Sequence, residues 1–116
     1  MREIRQGQVY WFDFGPSTGS APAELHPCVV VQNDVFNRSA IATCVVCVIT
    51  SNLRRANAPG NVLLRKGEAG LPRASVVNIA QTLTVEKEAL VECIGTLSGP
   101  SARAVRDGLH MLFDQL

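Results

Sequence analysis

Residues 41–50 read IATCVVCVIT, apolar at almost every position. Such a run predicts a β-strand covered on both faces rather than a half-solvated one. The same reading decides its cysteines. Cys44 and Cys47 form a CxxC, but positions three apart on a strand point to opposite faces and cannot share a metal ion. Cys28 and Cys93 stand alone in apolar surroundings, and no second CxxC or HxxxH occurs. Four buried free thiols in a reducing compartment are expected, with no metal.

Working outward, QVYWFDF (8–14) is β-branched and aromatic and predicts a first strand. PCVVVQN (27–33) predicts a second, with Pro27 at its start, where a missing N–H does least harm. Between them runs a connection of residues 15–26, rich in Gly, Pro and Ser, far longer than the ~2–5 residues usual between strands. It delivers His26 to the start of the second strand. DVFNRS predicts a helical turn capped by Asn33 or Asp34. Past the central run come the polar SNLRRANAPGN, a short strand NVLLR, the turn-rich KGEAGLPRA and a longer strand SVVNIAQTLTV (75–85). EKEAL predicts a helical turn and VECIGTL another short strand. The last segment predicts a helix, capped by Ser98 or Ser101 with Pro100 in its first turn. Ala102, Val105, Leu109, Leu112, Phe113 and Leu116 fall on one face of it, with the solvated or structural His110 beside them.

These elements predict a mainly β domain with a C-terminal α-helix, spanning residues 1–116 as a small, strongly curved sheet or partly open barrel. The central run holds more apolar surface than one such barrel obviously covers, which argues for a homodimer. No stretch of ~18 apolar residues occurs, so no membrane-spanning helix is expected. The charged N-terminus lacks a signal peptide's apolar core, so a cytoplasmic protein is expected.

The net charge of +1 hides an asymmetry. Residues 50–75 hold Arg54, Arg55, Arg65, Lys66 and Arg73 against the single acid Glu68, while both flanking segments are net acidic. A local basic segment suits an anionic partner, although charge alone suits an ordinary solvated loop equally well.

No nucleotide-binding glycine loop, nucleophile motif or carboxylate pair is present, and GPSTGS lacks the lysine and following helix of a phosphate loop. What remains is a set of polar residues at strand ends: His26, Thr50, Ser51, Gln81, and the adjacent Arg54 and Arg55. Singly, each reads as a group satisfying local hydrogen bonds. Together they suit metal-free RNA cleavage. That reaction deprotonates a 2′-hydroxyl, protonates a 5′-oxygen and stabilises a phosphorane. Histidine moves protons near neutral pH, arginine forks onto phosphate, and a threonine hydroxyl can donate to a non-bridging oxygen.

RQGQVYWFDFGPSTGSAPAELHPCVVVQND resembles the opening of the MazF/PemK-type toxins: an early glycine, an aromatic strand, a Gly-Ser loop, a basic residue before proline and a strand ending in Asn-Asp. VVCVITSN resembles their third strand with its threonine, and SVVNIAQTLTVEKEAL a later strand with its glutamine. The resemblance implies a small SH3-like, plasmid-maintenance-toxin barrel that forms homodimers. It also implies a metal-independent, sequence-specific endoribonuclease cutting single-stranded RNA, chiefly mRNA, to 2′,3′-cyclic phosphate and 5′-hydroxyl ends. The implied partner is a cognate antitoxin with a disordered acidic segment; no cofactor is implied.

Carried over by position, Thr50 matches the family's catalytic threonine, Ser20 a loop serine near RNA and Gln81 a base-reading glutamine. Glu24, Ser51, Asn52 and Arg55 join them as expected RNA-binding residues. His26 is the departure, because most of the family has arginine before that proline. Three arrangements are open: His26 is itself the general acid or base, Arg54 or Arg55 restores the positive charge, or catalysis is weakened. The first, assisted by the second, is favoured, which makes His26, Thr50 and Arg54 the expected catalytic set. The loop of residues 15–26 then reads as a lid over an RNA groove. Competing readings keep the fold and discard the enzyme. A gyrase poison is disfavoured by the LFDQL ending, whereas an inactivated ribonuclease or a nucleic-acid-binding module stays open.

Overall fold

The computed structural model describes residues 3–15 and 25–116. Six strands form one antiparallel sheet: β1 (Gln8–Asp13), β2 (Leu25–Val30), β3 (Thr43–Thr50), β4 (Val62–Leu64), β5 (Ser75–Glu86) and β6 (Glu92–Thr96). Their order is β4-β5-β3-β2-β1-β6, which places β3 near the middle. A short α1 (Asp34–Asn37) follows β2, and α2 (Gly99–Phe113) closes the chain.

β3 explains the architecture. Successive side chains alternate between two cores, one on each face of the sheet. Cys47 and Ile49 pack with Val9, Val29, Val77 and Val105 of α2. Cys44 and Val46 pack on the opposite side with Tyr10, Cys28, Val30 and Leu90. The two cysteines of the CxxC therefore lie in different cores, as the strand period requires. The expected surplus of β3 is not there: Cys44, Val46, Cys47, Val48 and Ile49 are all buried within the chain. The large apolar side chains left exposed are elsewhere, among them Leu63 of β4 and Met111, Leu112 and Phe113 of α2.

The sheet curls so that the turn after one edge strand reaches the other edge. The 3₁₀ turn Glu68–Gly70, which follows β4, lies against β6 at the far edge, because glycines permit the approach. Gly70 has φ +78°, and a Cβ there would run into the Ile94 carbonyl. Gly95 stands equally close to the Ala69 backbone. The Glu68 carboxylate then accepts the Ser98 N–H at 2.7 Å, bracing the start of α2.

Several boundaries differ from expectation. β2 begins at Leu25, so Pro27 is its third residue, paired with Trp11 of β1; its ladder to β3 begins only at Cys28. Pro27 is thus spared a place between two ladders. β2 stops at Val30, and Asn33 rather than Asp34 caps α1, accepting the Val35 N–H. Ser98 caps α2, accepting the Ser101 N–H. On α2, Val105 is buried and Ala102 and Leu109 are half-buried, but Leu112 and Phe113 are exposed; Leu116, expected on the same face, lies past the helix, which ends at Phe113 with Asp114 extended. The polar stretch after β3 contains a 3₁₀ turn, Leu53–Asn57, that its composition did not announce.

Candidate active site

Of the expected site residues, Ser20 and Glu24 lie outside the described residues, as does most of the loop read as a lid. His26 is placed by β2, opposite Phe12 of β1, with its ring edge-on to Phe14 at 6.3 Å between centroids. It is half-buried, and no described residue hydrogen-bonds its ring nitrogens. It lines a pocket of about 250 Å³ with Trp11, Ser51, Pro72, Arg73 and Ser75. A cavity of that size is smaller than those that enclose a drug-sized ligand, and suits one nucleotide unit of a longer chain.

Thr50 ends β3 next to Ser51. The β2–β3 pairs Cys28↔Val48, Val29↔Cys47 and Val30↔Val46 set the register. Carried two residues further, it puts His26 level with Thr50. The Thr50 Oγ1 accepts the Asn52 N–H at 3.1 Å, and the Asn52 carboxamide accepts the Arg54 N–H at 3.2 Å. Residues 50–54 therefore form a self-capped turn in which the Thr50 hydroxyl keeps its proton for another acceptor.

Arg54 and Arg55 stand exposed on the 3₁₀ turn Leu53–Asn57 and do not line the His26 pocket. Gln81 lies beyond them. Between the pairs Cys47↔Thr82 and Val48↔Asn78, the register shifts and β5 carries three extra residues, Ile79, Ala80 and Gln81, as a bulge. Gln81 accepts from Asn78 Nδ2 at 2.8 Å, and Asn78 accepts from Asn61 Nδ2 at 3.2 Å. Asn61 also donates to the Arg55 carbonyl at 2.8 Å and accepts the Ile79 N–H at 2.8 Å. An amide chain thus fastens the arginine-bearing turn to the bulge that holds Gln81.

Two residues escaped sequence reading. Arg73 lines the pocket, yet in sequence it was one basic residue among five. Asn61 organises the bulge, and only its position at the start of a strand could have signalled it. Another concavity, of about 780 Å³, lies around Arg38 and Leu90. Its Lys87 ammonium donates to the carbonyls of Phe36, Asn37 and Ser39 at 3.0–3.3 Å.

The family model of the PemK-like, MazF-like toxins of type II toxin–antitoxin systems matches residues 5–113. The chain belongs to this family. Endoribonuclease MazF6 of Mycobacterium tuberculosis (strain H37Rv) is 40% identical over 111 residues, covering 96% of this chain and 97% of that toxin. Endoribonuclease EndoA of Bacillus subtilis is 31% identical over 108 residues, covering 93% and 92%. A mycobacterial endoribonuclease solved with its cognate antitoxin superposes with a TM-score of 0.74 at 22% identity, covering 96% of this chain and 93% of that one. That likeness bears on the fold, and it agrees with the curled PemK-like sheet. Within the PemK-like family, then, this chain presents imidazole at the head of β2.

Proposed function

We propose that this PemK-like chain is a metal-independent, sequence-specific endoribonuclease toxin that cuts single-stranded RNA, chiefly mRNA, in the cytoplasm. A cognate antitoxin neutralises it by laying an acidic segment over the RNA site. The observation that carries the reading is the pocket lined by half-buried His26 and by Ser51, the residue next to Thr50.

The chemistry follows from those groups. The 2′-hydroxyl loses its proton, its oxygen attacks phosphorus, and the bond to the 5′-oxygen breaks as that oxygen gains a proton. The products are a 2′,3′-cyclic phosphate and a 5′-hydroxyl. His26 is the group that takes or gives a proton, since its nitrogens are free of described partners. The Thr50 hydroxyl donates to a non-bridging oxygen as negative charge builds on the phosphorane. Arg55 and Gln81, joined through the amide chain, form a second contact zone for the flanking nucleotides, with Asn52 of the adjacent turn and Ser20 and Glu24 from the loop. Exposed Leu63 and Met111 share a groove at α2, and with Leu112 and Phe113 they support a homodimer.

The test incubates the protein, in excess chelator, with a long unstructured RNA and maps every new end. Cuts at one short motif with 5′-hydroxyl and cyclic-phosphate ends are expected. Intact RNA from the folded protein contradicts the reading and favours a non-catalytic binding module.

A further inference from the structure

We infer that Arg73 is the group that grips the scissile phosphate beside His26, the task that sequence reading gave to Arg54 or Arg55. The inference rests on the ribonuclease reading of the pocket and names its missing cation.

Three observations carry it. Arg73 lines the same pocket as His26 and Ser51, whereas Arg54 and Arg55 do not. Its charge is uncompensated: the ion pair found among the described residues is Arg5–Glu3. Glu68, the one acid of the basic segment, turns away to the Ser98 N–H and hydroxyl. Finally, the backbone that carries Arg73 is fixed. Leu71 is an anchor buried in the core, and its carbonyl accepts the Gly67 N–H at 2.9 Å. On the other side, buried Ser75 donates its hydroxyl to the Arg73 carbonyl at 2.9 Å. An exposed guanidinium on a fixed stretch of backbone, lining the same pocket as an imidazole, is a suitable arrangement for seizing an anion.

A guanidinium forks onto two non-bridging oxygens and gains most when the phosphorane adds charge. The division of labour then differs from a site with arginine at the head of β2. His26 moves protons while Arg73 holds charge, which resolves how a histidine can occupy that place without loss of catalysis. Trp11 and Pro72 line the same pocket and offer flat surfaces to the adjoining base. Trp11 is the single tryptophan of the chain, so its fluorescence reports occupancy directly.

The experiment compares wild type, Arg73→Ala, Arg73→Lys and Arg54→Ala on the RNA motif mapped for the wild type. Single-turnover cleavage is measured at saturating RNA. Trp11 fluorescence follows binding of the same oligonucleotide with a 2′-deoxy residue at the cut site. Arg73→Ala is expected to lose on the order of 10²–10³-fold in rate. Tens of millimolar guanidinium ion, but not sodium chloride at equal strength, should restore part of it. Arg73→Lys, which keeps the charge and guards against a folding artefact, should retain roughly a tenth of the rate or less, since an ammonium cannot fork. Arg54→Ala should weaken binding only, with no guanidinium rescue. An active wild type whose Arg73 variants cut at its rate, or a large rescued loss in Arg54→Ala, overturns this inference alone. A folded wild type that leaves RNA intact overturns the ribonuclease reading and this inference with it.

Discussion

Asn61 Nδ2 donates to Asn78 Oδ1 at 3.2 Å, which links the residue that leads into β4 with the edge of the β5 bulge. The same carboxamide holds the Arg55 carbonyl and the Ile79 N–H. One side chain therefore fixes both the arginine-bearing turn and the strand irregularity that presents Gln81. Asn61→Ala leaves those backbone groups without their partner, at a cost of about 1–3 kcal/mol. Urea unfolding should show a lower midpoint with an unchanged slope. An unchanged midpoint would mean that water replaces the carboxamide without penalty.

Gly70 is required twice over, by its positive φ and by the Ile94 carbonyl behind it. Gly70→Ala should push the turn Glu68–Gly70 off β6 and destabilise the fold by roughly 1–3 kcal/mol. Because Arg73 follows this turn, RNA cleavage should fall as well. Gly67 has open space around it, so the strain of Gly67→Ala is that of its φ +92° alone. Thermal melts of both variants decide the ranking: Gly70→Ala must be the less stable.

The thiols give a pH signature. Burial pushes Cys28 up to about 12 and Cys44 up to about 11, and raises Cys47 against the opposing effect of its hydrogen bond with Thr82. The folded chain thus keeps protons that an unfolded thiol releases above about 8.5. Stability is whole below that value and drains away as pH rises toward the folded values. Cys93 is half-buried and the other three are buried, so iodoacetamide at pH 8 should label Cys93 first and leave the others until urea is added. Rapid labelling of all four in the native protein would contradict the two-core packing.

Asp34 gives the acid counterpart. Its carboxylate accepts the Gln6 N–H at 2.7 Å and the Asn37 carboxamide at 3.0 Å, and these bonds hold its pKa below the usual range. A lowered pKa stabilises the fold above the unfolded value of about 3.9 and ceases to do so as pH falls through the folded value. The stability gap between wild type and Asp34→Asn should therefore be present at neutral pH and close in acid. A gap that is the same at pH 7 and pH 2 would rule out the linkage.

Much of this fold was legible because strand faces are written two residues apart. The assignment of Cys44 and Cys47 to opposite faces needed only that period, and the helix start near Pro100 was legible, though not which of Ser98 and Ser101 caps it. The bulge at Ile79–Gln81 was not legible, because it is specified by Asn61, a residue distant in sequence. The exposure of Leu112 and Phe113 was hidden for a related reason: helical periodicity gives a face but not what packs beneath it. At the site, His26 and Thr50 stood out through their places at strand ends. Arg73 did not, because its role depends on a turn that curls back across the sheet rather than on any local pattern.

The most direct measurement is the single-turnover cleavage rate of wild type and His26→Ala on the mapped RNA motif, in excess chelator, with circular dichroism to confirm that both are folded. Loss of a positioned proton-transfer group should slow cleavage by about 10²–10⁴-fold. A folded His26→Ala protein that cuts at the wild-type rate would show that the pocket at the head of β2 is not where the RNA is cleaved.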